Sequence, residues 1–175
     1  MTDSDATAAP EGWRGPLFGV VALTVVLLDV TTKILAERHL PLHEPQQVIG
    51  QLFQLTLAYN YGAAFGMHLG SASRWVFGLA ALVGLVVIGR LALQTPPTDR
   101  PRLLALALIF GGAAGNLIDR IRSPQGVVDF IDVGIGAQHR FWTFNIADSA
   151  VTVGAILLLL VLWLDERVAR SAPVP

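Results

Sequence analysis

The sequence predicts an all-α membrane protein built on four transmembrane helices. Two observations carry that expectation. The first is composition: 53% of the 175 residues are hydrophobic and only 14% are charged, with a mean hydropathy of +0.58. A water-soluble chain of this length exposes much of its surface and needs more polar residues to cover it. The second is segmentation. Apolar stretches occupy residues 17–40, 75–93, 103–118 and 146–164, each close to the roughly 20 residues that cross a bilayer core. The chain therefore reads as one integral membrane domain, 1–175, with no separate soluble unit.

Each element follows in order. Residues 1–15 are polar with Gly and Pro and read as a loose tail. The first apolar segment is not a signal peptide: it runs through Asp29-Val-Thr-Thr-Lys33 and back into Ile-Leu-Ala without a small-residue cleavage site. In the connection 41–74, Phe53, Leu55, Leu57 and Tyr59 alternate with Gln54, Thr56, Ala58 and Asn60, a period of two that predicts a strand with one apolar face. "QTPPTDRPR" at 94–102 is a proline-rich turn between the second and third helices. The connection 122–143 mixes Val-Val, Phe-Ile and Phe-Trp pairs with Gly and charges, which suits a membrane surface. "DERVARSAPVP" closes the chain as a charged helix end and a tail.

Four spans put both termini on one side and the connections 41–74 and 119–145 on the other. Lys and Arg do not choose between the sides. Arg14, Arg90, Arg100, Arg102, Arg167 and Arg170 fall on the terminal side, and Lys33, Arg38, Arg74, Arg120, Arg122 and Arg140 on the other. The short loop with Arg100 and Arg102 leans toward cytoplasmic termini. A net charge of −1 offers no field for nucleic acid. The absence of cysteine removes thiol nucleophiles and Cys-zinc sites, and His39, His43, His68 and His139 have no metal-binding spacing.

The polar residues fall at one end of the helices. Asp29 and Lys33 are four apart on one face of the first. Asn116, Asp119 and Arg120 close the third, with Arg120 the expected partner of Asp119. Asn145 and Asp148 open the fourth, Asp129 and Asp132 lie in the connection between these two, and Asn60 ends the strand. Each has an ordinary explanation: an i,i+4 pair, a helix stop, an N-cap with a first-turn acid, and, for Gly111 and Gly115, helix packing. Charges at membrane depth are costly unless paired or functional, so their convergence on one level points to a site near one membrane face. Transporters also carry intramembrane Asp and Asn, but near the midplane and often in repeated halves. The first and second segments here do not resemble the third and fourth. A non-catalytic assembly factor has no need of two acids so placed.

"DVTTK" (29–33), "NYGAAFG" (60–66), "GGAAGNLIDR" (111–120), "VVDF" (127–130) and "FNIADSA" (144–150), in this order, resemble the blocks of signal peptidase II, the bacterial lipoprotein signal peptidase. The resemblance covers residues 17–165. It implies an aspartic endopeptidase of the bacterial inner membrane that removes signal peptides from diacylglyceryl-modified prolipoproteins. The implied fold has four transmembrane helices with cytoplasmic termini, a small extracytoplasmic β-sheet and a loop helix at the membrane surface. The implied catalytic pair is Asp129 and Asp148, with Asp29, Lys33, Asn60, Asn116, Asp119, Arg120 and Asn145 supporting the site or binding substrate. It further implies no cofactor or metal, prolipoprotein substrates and membrane lipids as partners, inhibition by globomycin-type cyclic peptides, and a monomer. One departure from the family pattern is Gly126 standing directly before Val127-Val128. Two neighbouring carboxylates suit metal-free hydrolysis, because they can share one proton and activate water between them.

Overall fold

In the computed structural model, residues 16–62, 72–136 and 138–171 are described. Four helices and four strands follow one another along the chain: α1 (Leu17–His39), β1 (Gln46–Ile49), β2 (Phe53–Asn60), α2 (Ser73–Gln94), α3 (Arg100–Arg122), β3 (Val127–Ile135), β4 (His139–Arg140) and α4 (Ile146–Ser171). All four helices are long and apolar enough to cross a membrane; at 1.5 Å per residue each extends roughly 33–39 Å.

α1 keeps its expected bounds to within a residue, whereas α2, α3 and α4 outrun theirs. α3 begins at Arg100 rather than 103 because Asp99 caps it, accepting the Arg102 N–H at 3.2 Å, and because Pro101 sits in the first turn. That is where a missing N–H does no harm. It runs on to Arg122 and α4 to Ser171, since hydropathy marks where lipid ends, not where the backbone stops being helical.

α3 is the central helix and packs against α1, α2 and α4. Small residues make this possible. A Cβ on Gly111 would lie 2.8 Å from the Ala22 carbonyl oxygen of α1, and one on Gly112 would lie 2.3 Å from the Ala147 carbonyl oxygen of α4. Close backbone approach of this kind replaces the hydrophobic drive that lipid removes. α2 is apolar around its whole circumference and buries only Ser73 and Ala92, as expected of a helix largely surrounded by hydrocarbon. Leu23, Leu27, Leu79, Val86, Ile156 and Leu159 all point outward.

The sheet is antiparallel in the order β1-β2-β3-β4. It sits on the ends of α1 and α4. Ala36, Leu57, Val128 and Phe130 form its core, with Leu40, Leu55, Tyr59, Ile131 and Ile146 packed around them. The expected apolar face of β2 is therefore present at Leu55, Leu57 and Tyr59, although Gln54 is also buried and a bulge falls between Leu55 and Ala58. Much of the connection 122–143 is a strand, β3, paired with β2 so that Asp129 faces Ala58 and Val127 faces Asn60. Gly126 explains the departure noted in its loop. Its φ is +87°, and a Cβ there would meet the Asn60 carbonyl oxygen at 2.3 Å, so the tight entry into β3 demands glycine. The loop helix is not among the elements of the described residues, and residues 63–71, including part of the "NYGAAFG" block and His68, lie outside them.

Candidate active site

Four helix ends and two strands meet at one end of the bundle, and the polar residues meet with them. α1 contributes Asp29 and Lys33, both fully buried. Lys33 Nζ lies 2.7 Å from Asp29 Oδ2 and 2.8 Å from Asp119 Oδ2, and it donates to Asn116 Oδ1 at 2.9 Å. A buried ammonium is tolerable only when so surrounded. Asp29 also reaches α4: its Oδ1 accepts the Ala147 N–H at 2.9 Å. A Cβ on Gly115 would come within 2.5 Å of Asp29 Oδ2, so this glycine makes room for the carboxylate.

Asp119 is the second acid on Lys33, and here the structure corrects the expected pairing with Arg120. Asp119 accepts from Arg122 Nε at 2.8 Å and from the Val128 N–H at 3.2 Å. Adjacent residues on a helix diverge by about 100°, so the side chain that faces Lys33 cannot also face its neighbour. Arg120 instead donates to the Asn116 carbonyl at 3.2 Å and the Gly62 carbonyl at 3.0 Å. Arg122 continues outward to Glu37 at 3.1 Å.

The start of α4 is a reciprocal cap. Asn145 Oδ1 accepts the Asp148 N–H at 2.9 Å, and Asp148 Oδ2 accepts the Asn145 N–H at 3.3 Å, the capping-box arrangement with aspartate as its acid. The ordinary explanation of these residues is thus correct and incomplete. The same Asn145 donates from Nδ2 to Asp129 Oδ1 at 2.8 Å, and at 3.2 Å to both the Val128 carbonyl and Asn116 Oδ1. Asn116 Nδ2 donates to Asp148 Oδ1 at 2.8 Å, and Asn60 Nδ2 to Asp129 Oδ2 at 3.3 Å. One asparagine therefore bridges Asp129 and Asp148, and three carboxamides supply N–H groups to the two acids.

Asp129 lies in β3, outside the helices. Its carboxyl is pushed up to about 7, first by burial and then by the negative charge of Asp148; hydrogen bonds from Asn60 and Asn145 and the Lys33 charge pull the other way. This is the signature of two acids close enough to compete for charge. Among the described residues no group of three or more His, Asp or Glu side chains is placed to hold a metal ion.

The nine residues that the resemblance assigned to the site form one network, Arg120 by carbonyl contacts, whereas Asp132, placed beside them in the sequence, pairs with Arg140 and Thr56 instead. The family profile for signal peptidase (SPase) II matches residues 21–164. The chain belongs to the signal peptidase II family. Among its relatives are lipoprotein signal peptidases from Hydrogenovibrio crunogenus and from Francisella tularensis subsp. novicida. The first is 39% identical, over 87% of this chain and 88% of the relative. The second is 38% identical, over 80% and 87%. Two solved bacterial membrane enzyme structures share the fold. One has a TM-score of 0.79 at 30% identity, covering 90% of this chain and 94% of that one; the other has a TM-score of 0.73 at 32% identity, covering 83% and 91%. The family makes this chain a multi-pass membrane peptidase, consistent with its four long apolar helices.

Sequence reasoning missed the outer shell of the site. Arg74 of α2 donates to the carbonyls of Arg120 and Ile121, the latter at 2.8 Å, tying α2 to the end of α3. Arg140 grips Asp132 at 2.6 Å while Thr56 donates to the same carboxylate at 2.7 Å. Nothing in local spacing announces these contacts, which join residues 46 to 76 positions apart in three of the four cases.

Proposed function

We propose that this signal peptidase II cleaves the signal peptide from diacylglyceryl-modified prolipoproteins by an aspartic mechanism in which Asp129 and Asp148 share one proton. The observation that carries this reading is the bridge made by Asn145, whose side chain holds Asp129 while its cap holds Asp148. Asp129, buried and raised, keeps the proton; Asp148, in the first turn of α4, sits at the positive end of a helix dipole that favours its anion. The anionic member takes a proton from water as the water attacks the scissile carbonyl. The protonated member donates to the carbonyl oxygen; as the tetrahedral diol collapses and its C–N bond breaks, the acid that took the water proton gives it to the leaving nitrogen, and the other recovers a proton from the diol hydroxyl, so the pair again holds one proton.

The substrate fits the position of the pair. The acids lie at the ends of membrane-length helices, beside a sheet, so a lipid-anchored cysteine can stay in hydrocarbon while the bond beside it reaches water. A transporter reading calls for polar groups near mid-membrane, and here they lie at one end. We place both termini in the cytoplasm of the inner membrane, with the sheet outside. A cytoplasm-dependent reporter fused after Pro175 is then active; activity only from a reporter inserted near Gln46 reverses the orientation. For the mechanism, purified protein is incubated with lipidated prolipoprotein and processing is followed by gel shift. Asp129→Asn and Asp148→Asn each abolish it while still binding substrate. Substantial processing by either sinks the two-aspartate reading.

A further inference from the structure

The three asparagines of the site must present N–H rather than C=O to the two acids, and what enforces this differs between them. Asn145 is locked by backbone: the Asp148 N–H can only donate to its Oδ1, and the Val128 carbonyl can only accept from its Nδ2. Asn60 has a similar lock, its Oδ1 accepting the Gly62 N–H at 3.0 Å. The Asn116 side chain has no such backbone contact. Its Oδ1 is held by Lys33 Nζ at 2.9 Å and Asn145 Nδ2 at 3.2 Å, and its Nδ2 points at Asp148.

An ammonium has three donors and no acceptor. Facing Lys33, Asn116 has one favourable orientation, carbonyl toward the lysine and N–H toward Asp148. The bond is charge-assisted, so it also polarises the carboxamide and strengthens its N–H as a donor. We propose that Lys33 is a positioning residue of the catalytic pair, fixing the polarity of the Asn116 carboxamide so that its N–H is aimed at Asp148. The two acids flanking Lys33 then have a purpose beyond neutralisation. Asp29 and Asp119 hold the ammonium on either side, and α3 carries Asp119 and Asn116 three residues apart on one face.

The inference rests on the two-aspartate reading above and deepens it. The charged groups facing the pair are Lys33 of α1 and Arg120 of α3 as cations, with Asp119 of α3 and Asp29 of α1 behind Lys33 as anions; β2 supplies the neutral Asn60. Removing the ammonium withdraws both a positive charge and an oriented donor from the pair. Both losses favour protonated carboxyls.

The test is the pH profile of kcat/KM for prolipoprotein processing. Lys33→Met alone leaves two buried carboxylates uncompensated and is expected to fold poorly. A charge-balanced variant, Lys33→Met with Asp29→Asn, avoids this. The carboxamide oxygen that Asp29→Asn introduces can still accept the Ala147 N–H, and Asp119 keeps Arg122 and the Val128 N–H. The balanced variant loses one charge of each sign, so what remains is the lost aim of the Asn116 N–H; it should fold and process substrate slowly, with its pH profile displaced upward. Asp29→Asn alone removes a negative charge and retains Lys33 on Asn116, so its profile should stay in place or move downward, opposite to the balanced variant. A balanced variant that is merely slower, with an unmoved profile, overturns the proposal, as does one that fails to fold, since Lys33 would then serve the fold alone. Asp129→Asn in the same assay separates the two ideas: its activity would defeat the underlying mechanism, whereas an unmoved profile defeats only the role of Lys33.

Discussion

The two ends of the helix bundle put the same residue types to different uses. At the site end, Lys33 lies between Asp29 and Asp119 with none of its side chain exposed. At the terminal end, Arg102 lies between Asp99 and Asp165 with 31% of its side chain exposed, and Arg170 pairs with Glu166 with 77% exposed. Both ends show a cation between acids. The difference is solvent. A buried pair that loses one partner strands a charge that cannot rehydrate, whereas an exposed pair simply trades its partner for water. Lys33 is also tied through Asn116 to Asp148, while Arg102 only fastens the start of α3 to α4. Geometry on paper does not rank these contacts; burial and connectivity do.

The largest expected break in the comparison is at the pair itself. Asp129→Asn and Asp148→Asn keep shape but cannot exchange the proton, so each should lower processing by a factor of about 1,000 or more, and the double variant should be little worse than either. Roughly additive losses in the gel-shift rates would mean that the two acids act separately.

Next comes stability at the buried cluster. Asp119→Ala strips Lys33 and Arg122 of a shared carboxylate and leaves the Val128 N–H unpaired. The loss should be about 3–5 kcal/mol, read as a large fall in Tm in detergent. Asp165→Ala, its counterpart at the exposed end, should cost no more than about 1 kcal/mol. Equal losses would erase the distinction between the two ends.

These contrasts show what was legible in the sequence. Helix number, the strand 53–60 and the level of the site could be read because hydropathy and i,i+3 or i,i+4 spacing are local. Asp29–Lys33 is such a pair, and it is real. The third corner, Asp119, could not be read because it depends on how α1 and α3 are turned toward each other. The sequence offered adjacent Arg120 as its partner, and three-dimensional packing supplied Lys33 and Arg122 instead. β3 escaped for a related reason. Val127 through Phe130 are all buried, so the strand shows no alternation to detect. The Asn145 bridge was half legible: its cap spacing was visible, its reach to Asp129 was not.

A pH measurement sharpens the comparison further. Asp129 is raised from 3.8 to about 7 in the folded protein. Between those values the folded state holds a proton that the unfolded state has released, so this group's contribution to stability falls as pH rises through the window. Below it the contribution is unaffected, and above about 7 the penalty is complete. Asp129→Asn has no such group. Its Tm relative to wild type should therefore be higher at pH 8 than at pH 4, and a difference that does not change with pH would remove the strain assigned to the pair. Processing by the wild type should also decline as pH rises through about 7, when the shared proton is lost.

Gly115→Ala probes the same cluster through space rather than charge. The added methyl would meet Asp29 Oδ2 at 2.5 Å and Ala147 Cβ at 3.4 Å. The carboxylate is held by Lys33 and by the Ala147 N–H, so it has little room to retreat. Overpacking of this sort costs about 1–3 kcal/mol. Gly84 of α2, with nothing near its Cβ position, is the matched control and should accept alanine without loss. A neutral Gly115→Ala would mean that α1 can slide away from α3 at this level.

The smallest expected effect tests the comparison from its other side. Arg170 donates to Glu166 at 2.5 Å, one turn apart on α4, and both side chains are mostly in solvent. By distance alone it matches the buried contacts of Lys33. Water solvates both charges almost as well when they are apart, salt screens what attraction is left, and holding two long side chains together costs rotamer freedom. Arg170→Ala should therefore leave Tm and processing unchanged, at low salt as well as high. It also lies at the far end of the bundle from Asp129 and Asp148, with no hydrogen-bonded path to them among the described contacts. A measurable loss would show that the overhanging end of α4 is held in place by more than its helix, and that the exposed end of the bundle contributes to stability in its own right.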